Sequence, residues 1–282
     1  MIHLEITVIP RHETDVVNAT ISLGRLKHLQ SLSLLPPSRY SYHWAIREVA
    51  HHCSKLHEFK IVYSGDNLDA GEGIICLQKC KNLSALWLFN FGKRSETNSV
   101  SELLKSLPKL KILFHKELPN AILELTCGRG NTVDDSAATP THQQLDEENS
   151  WTDKQTRTMD YQLGLERVDL CWYQRGVGYQ LVYVPSSYLM RVAQACPKVK
   201  LLNLVGPPCL AQVVASLPCL QVIVLQQASL ISCLRCCLEE VNFDKIIELR
   251  VSDVWDVTHD LVSTVACGCP NLQVLSIISS SL

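Results

Sequence analysis

Apolar residues fall along this chain into a nine-residue frame, (Leu/Cys)-x-x-Leu-x-x-Leu-x-Leu, in which slots one, four, seven and nine are apolar and the rest are free to be polar. The fourth slot is Leu29, Leu56, Leu83 and Leu110, three successive steps of 27 residues. The first four frames read Leu26/Leu29/Leu32/Leu34, Cys53/Leu56/Phe59/Ile61, Cys80/Leu83/Leu86/Leu88 and Leu107/Leu110/Leu113, with His115 in the last slot of the fourth. After a break the frame returns as Leu165/Val168/Leu170, Cys196/Val199/Leu202/Leu204, Leu217/Leu220/Ile223/Leu225, Ile246/Leu249/Val251 and Cys269/Leu272/Leu275/Ile277. Met1, Leu4 and Ile6 look like the tail of one more. A period of this length marks a chain that stacks one supersecondary unit per repeat.

The x-Leu-x-Leu-x part of each frame alternates at period two and predicts a strand, while the residues before it repeat at helical spacing. Helices are expected over residues 45–53, 100–107, 188–196 and 261–267, and Ser99-x-x-Glu102 has capping-box spacing. Proline follows the helix end in Leu107-Pro108, Cys196-Pro197, Leu217-Pro218 and Cys269-Pro270, where a ring without an N–H stops the helix.

The phrases Cys196-Pro-Lys-Val-Lys-Leu-Leu-Asn-Leu, Cys269-Pro-Asn-Leu-Gln-Val-Leu-Ser-Ile and Cys80-Lys-Asn-Leu-Ser-Ala-Leu-Trp-Leu resemble the cysteine-containing leucine-rich repeats of F-box/leucine-rich-repeat proteins, within the ribonuclease-inhibitor-like superfamily. The resemblance covers nearly the whole chain outside a central insertion. It implies an α/β leucine-rich-repeat solenoid of about eight to nine irregular repeats, with parallel strands on a concave face and helices on a convex one. The Asn or Cys that the family places three residues past the last strand Leu is replaced here by Pro37, Ser64, Phe91, Tyr173, Pro207, Ala228 and Val254, so the buried polar ladder is expected to be incomplete. By the same resemblance the chain is a protein–protein interaction module, the substrate-recognition region of an SCF-like ubiquitin ligase acting in ubiquitin-dependent protein catabolism. A cullin-ligase adaptor would then dock through an F-box not present in this chain. A ribonuclease-inhibitor-like inhibitor or assembly scaffold is the alternative.

Three segments follow from the periodicity: repeats over 1–116, an irregular insertion over 117–162, and repeats over 163–282. Residues 128–160 carry Asp134, Asp135, Asp146, Glu147, Glu148 and Asp153 with little apolar content, and are expected to be largely disordered. A short strand is expected before them over residues 121–126 (AILELT).

The pleat turns the repeat into a map of the sheet's outward face. If slots seven and nine point into the core, slots six, eight and ten point away from it. In the third and fourth repeats these slots hold Ala85, Trp87 and Phe89, then Ile112, Phe114 and Lys116. Trp87, Phe89, Ile112 and Phe114 form a candidate partner-binding patch, since contiguous exposed apolar area signals an interface and Trp is common among interface hot spots. Glu58, Lys60, Lys116, Arg167 and Asp169 supply its charged rim.

Composition narrows the classes of function. The 26 basic and 28 acidic residues nearly cancel, so neither nucleic acid nor a membrane surface is an expected partner. The amino terminus has no secretory signal, and the apolar stretch 210–238 is broken by Pro218, Gln221, Gln226, Gln227 and Arg235; a cytoplasmic or nuclear location is expected. The odd count of 13 cysteines fits reduced thiols better than a disulfide framework.

Chemistry finds little anchor. Cys233-x-x-Cys236-Cys237 with Cys267-x-Cys269 could place four of these five sulfurs around a zinc ion, but Cys269 already fills a frame slot. His51-His52-Cys53 with His57 places a thiol near imidazoles, yet no third orienting group is evident and Cys53 is also a frame residue. Gly71-Glu72-Gly73 lacks the rest of a phosphate loop. No catalytic residue, metal or cofactor is therefore expected, and a thiol or zinc enzyme is the remote alternative.

Overall fold

The computed structural model describes residues 3–7, 26–35, 43–62, 70–89, 97–115, 118–127, 162–170, 173–174, 180–181, 186–205, 210–226, 238, 241, 243–254 and 259–279. The strands are β1 (His3–Thr7), β2 (Ser31–Leu35), β3 (Glu58–Val62), β4 (Ala85–Phe89), β5 (Ile112–Phe114), β6 (Arg167–Asp169), β7 (Tyr173–Gln174), β8 (Gln180–Leu181), β9 (Leu201–Val205), β10 (Val222–Gln226), β11 (Glu248–Val254) and β12 (Val274–Ser279). Ten of them form one open sheet in chain order, β1 to β6 and then β9 to β12, while β7 and β8 pair antiparallel by themselves. Every neighbouring pair within the large sheet is parallel.

Parallel neighbours need a crossover, and among the described residues helices supply seven of the nine. These are α1 (His43–His52), α2 (Ala70–Cys76, continued by a 3₁₀ turn over Leu77–Lys79), α3 (Thr97–Ser106), α4 (Leu118–Cys127), α5 (Ser186–Ala195), α6 (Leu210–Ser216) and α7 (His259–Gly268). Their buried faces share one spacing. Ile46/Val49/Ala50/Cys53, Val100/Leu103/Leu104/Leu107, Leu189/Val192/Ala193/Cys196 and Leu210/Val213/Val214/Leu217 are all buried and all fall at i, i+3, i+4 and i+7. The last residue of each stripe is slot one of the following frame. The frame's Leu or Cys thus closes the helix and opens the turn.

That turn is the same in five of the described repeats. The amide of Cys53, Leu107, Cys196, Leu217 or Cys269 still bonds back to the helix, while its carbonyl accepts the N–H of the slot-four residue Leu56, Leu110, Val199, Leu220 or Leu272. Proline at 108, 197, 218 and 270 occupies the second position of this turn, where a fixed φ is favourable, as well as ending the helix. From slot five onward the repeats are laced together. One carbonyl accepts two amides of the next repeat: His57 and Glu58 on Gln30, Ser84 and Ala85 on His57, Lys111 and Ile112 on Ser84.

The lacing crosses the break. Glu166 and Arg167 donate to the Lys111 carbonyl at 2.7 and 3.2 Å, and Ile112 pairs with Arg167, so the frames at Leu110 and Leu165 are adjacent in the sheet despite 55 residues of separation. The expected strand at 121–126 is instead part of α4. Leu118, Ala121, Ile122 and Leu125 fall at helical spacing, the first three fully buried and the fourth packed on the core, and this stripe outweighs the local β-like composition. The helix takes ten positions of the expected insertion, Leu118–Cys127; residues 128–161 lie outside the described residues. The capping box is also corrected: α3 begins at Thr97, which places Ser99 inside the first turn, buried, and not at the cap.

Slots four, seven and nine make one continuous core, with Leu56, Phe59, Ile61, Leu83, Leu86, Leu88, Leu220, Ile223 and Leu225 fully buried. Cover for each repeat comes from the next. Leu249 in β11 is 1% exposed, whereas Leu275, the same slot in β12, is 39% exposed. No helix among the described residues is long and apolar enough to cross a membrane.

Candidate functional site

The sheet register places the outward residues in columns. His3, Ser31, Glu58, Ala85, Ile112, Arg167, Leu201, Val222, Glu248 and Val274 follow one another from strand to strand, and two residues on lies the column through Ser33, Lys60, Trp87, Phe114, Asp169, Asn203, Val224, Arg250 and Ser276. These columns match the pleat reading of the frame, residue for residue.

Four apolar side chains gather at the centre of this face. Trp87 is directly paired with Phe114 across β4 and β5, as the frame spacing requires. The closest ring contact is diagonal: Phe89 and Phe114 have centroids 4.5 Å apart with planes tilted by 38°. Trp87, Phe89, Ile112 and Phe114 are each partly exposed, while Leu86 and Leu88, on the other face of the same strand, are fully buried. Lys60 reaches the patch from β3, its Nζ 5.6 Å from the Phe89 centroid, within cation–π range. Glu58 is partly buried at the start of the same strand. Lys116 lies outside the described residues, so the rim is described on one side by Glu58 and Lys60 and on the other by Arg167 and Asp169.

On the carboxy-terminal side the face becomes polar. Asp169, whose side chain is 8% exposed, faces the Arg167 guanidinium at 3.7 Å, and both its oxygens accept from the Asn203 amide at 3.1 Å. The Gln226 amide in turn donates to the Asn203 oxygen at 3.5 Å, and Arg250 bonds Glu248 one strand further on. Asn203, Glu248 and Arg250 belong to the same outward columns and Gln226 to the next one, but none was among the expected site residues. Their slot numbers mark them as outward; only the tertiary pairing of Asn203 with Asp169 makes them a network.

At the amino-terminal end the face closes, with Ser31 and Ser33 both buried. What the arrangement offers is therefore an apolar anchor of four side chains flanked by one cation and by a row of hydrogen-bonding groups. Aromatic pairs of this kind contribute about 0.5–1.5 kcal/mol beyond their area, too little to require that Phe89 and Phe114 serve folding alone.

The thiol candidates sit in the core. Burial pushes the Cys53 thiol up, and pushes Cys196 to about 12 and Cys269 to about 11. Cys80 is raised to about 12 by burial and by neighbouring Cys53. A thiol held protonated in this way is the reverse of an activated nucleophile. Cys80 Sγ lies 4.0 and 3.9 Å from the carbonyls of Ala50 and Cys53, where the chain leaves α1, so a weak S–H donor in this slot reaches the preceding helix end. His52 faces Glu48 at 3.4 Å and His51 lies 3.0 Å from Lys79 Nζ, so neither imidazole is directed at Cys53. Of the zinc candidates, Cys233, Cys236 and Cys237 lie outside the described residues, while Cys267 is exposed and Cys269 buried. Among the described residues no group of three or more potential ligands is gathered.

The chain matches no family model, and no curated protein is similar to it in sequence.

Proposed function

We propose that the chain is a leucine-rich-repeat solenoid that binds another protein through the outward face of its parallel sheet, with Trp87, Phe89, Ile112 and Phe114 as the anchor. The observation that carries this reading is the tilted Phe89–Phe114 pair, left partly exposed on a face whose opposite side is fully buried. Apolar side chains in a folded chain are ordinarily withdrawn from water, and a group left out in one contiguous place is the mark of an interface. Lys60 and the Arg167–Asp169–Asn203 row give such an interface direction and specificity, because a partner that leaves these groups unpaired loses more than one that merely fits the apolar patch. This is a binding role without catalytic residue, metal or cofactor.

The frame's likeness to the cysteine-containing repeats extends the reading to the substrate-recognition region of an SCF-like ubiquitin ligase in the cytoplasm or nucleus. Affinity purification of the full-length gene product, followed by mass spectrometry, tests that extension. A cullin-ligase adaptor in the purified complex, with the client protein lost from a Phe89→Ala/Phe114→Ala variant that keeps the adaptor, is the expected result. A client retained without any adaptor would instead favour an inhibitor or assembly scaffold built on the same face.

A further inference from the structure

The near-neutral composition conceals a segregation of charge. Eight of the chain's fourteen lysines, Lys27, Lys55, Lys81, Lys109, Lys111, Lys198, Lys200 and Lys245, fall within the five-residue turns between frame slots one and five, which in the described repeats carry two acids, Glu166 and Asp244. The sheet stacks these turns side by side, so the lysines form a row along one edge of the molecule. Lys81 and Lys245 serve the fold, donating to main-chain carbonyls at helix ends: Lys81 to Ser106, and Lys245 to Val214 and Leu217. Others do not. Lys55 meets His28, Lys109 meets the Asn82 side-chain oxygen, and Lys27 and Lys198 are exposed.

The edge also shows what it grips. Glu166 lies between Lys111 at 2.8 Å and Lys200 at 3.0 Å, one carboxylate bridging the turns on either side of its own. Immediately beside it the row is notched: repeat five carries Gly164 where its neighbours carry Lys109 and Lys198. The result is a depression of about 430 Å³ bordered by His57, Asn82, Lys109, Gly164, Glu166 and Lys198. A β-carbon at Gly164 would rest in ordinary contact with the Pro108 and Leu110 carbonyls at 3.4 and 3.6 Å, so a side chain fits at this position and would occupy part of the notch.

We propose that this edge binds an extended acidic polypeptide segment, with one of its carboxylates seated in the Gly164 notch between Lys109 and Lys198. The row is one to two cations wide, and its described turn residues expose no Phe, Tyr or Trp side chain, Phe243 being buried, so it lacks both the breadth that a duplex engages and the broad stacking platform that single strands use. From Lys27 to Lys200 it crosses six turns, about 24 Å at strand spacing, which an extended segment of about seven residues spans.

A fluorescein-labelled octaglutamate peptide tests the proposal by anisotropy at physiological salt. The full chain binds it, and a Lys55→Glu/Lys109→Glu/Lys198→Glu variant binds at least about tenfold more weakly with an unchanged melting temperature. Gly164→Gln, which fills the notch without altering charge, weakens binding about threefold, and Glu166→Gln, which releases Lys111 and Lys200, strengthens it by about as much. A Trp87→Ala/Phe114→Ala variant binds the peptide as the parent chain does, so this result stands or falls apart from the sheet-face reading. Absence of peptide binding, indifference to Gly164→Gln and Glu166→Gln, or tighter binding of an octathymidylate or of phosphatidylserine vesicles would overturn it.

Discussion

Strand β4 presents two apolar pairs one residue out of step. Leu86 and Leu88 are fully buried, whereas Trp87 and Phe89 stand partly exposed on the opposite side of the same five residues. Composition does not separate them, and neither does β propensity. The difference lies in what covers each face: α-helices close the Leu side into a continuous core, while nothing among the described residues closes the other over repeats three and four. Apolarity in this chain therefore has two uses, and the pleat distributes them.

The largest effect that would break the comparison is on folding. Replacing Leu86 by Ala leaves a cavity between sheet and helix and is expected to cost about 2–5 kcal/mol in urea unfolding, as for buried leucines generally. The same change at Leu275, an equivalent slot left 39% exposed in the last strand, should cost less than about 2 kcal/mol. Equal losses would mean that β12 is covered in solution, which sharpens the question of what a repeat needs beside it.

A smaller effect concerns the stitch across the break. Lys111 and Lys200, both bonded to Glu166, hold its carboxyl below the usual carboxylate range. A depressed carboxyl contributes stability above its unfolded pKa and loses it as pH falls through the folded value. Glu166→Gln should therefore lower stability by about 0.5–1 kcal/mol near neutrality, less at high salt. The gap between parent and variant should close as acid protonates Glu166 in both the folded and unfolded chain. A gap that persists once acid has protonated Glu166 in both states would show that the two lysines do not act through its charge.

The smallest expected effect is chemical. At mild alkaline pH, exposed Cys219 and Cys267 should alkylate in the native protein, while Cys80 and Cys196, each pushed up to about 12, should react only on unfolding. Rapid labelling of Cys196 would show that the turn ending α5 opens readily.

The sequence made the strands legible because the frame states both their period and their register: Leu29, Leu56, Leu83 and Leu110 align without adjustment. It showed the helices less evenly. α1, α3, α5 and α7 were visible, but α2 begins Ala-Gly-Glu-Gly, a poor helix start by propensity, and is held by the burial of Gly73, Ile74 and Leu77 against its neighbours. α4 was misread because Ala-Ile-Leu-Glu-Leu-Thr alternates over a short window, and only the inclusion of Leu118 reveals the longer period. The outward aromatics were legible from slot numbers alone. The Asp169–Asn203–Gln226 row was not, since the step from Leu165 to Val199 departs from 27 residues and the strand pairing that joins those side chains is set by the fold.

The central claim is that Trp87 and Phe114 serve binding and not folding. It is tested most directly by measuring, on one preparation of a Trp87→Ala/Phe114→Ala variant, both the melting temperature and the amount of client protein retained per molecule. The account predicts a melting temperature within a few degrees of the parent chain and at least about a tenfold loss of retained client. A fall in melting temperature like that of Leu86→Ala, or full retention of the client, would contradict it.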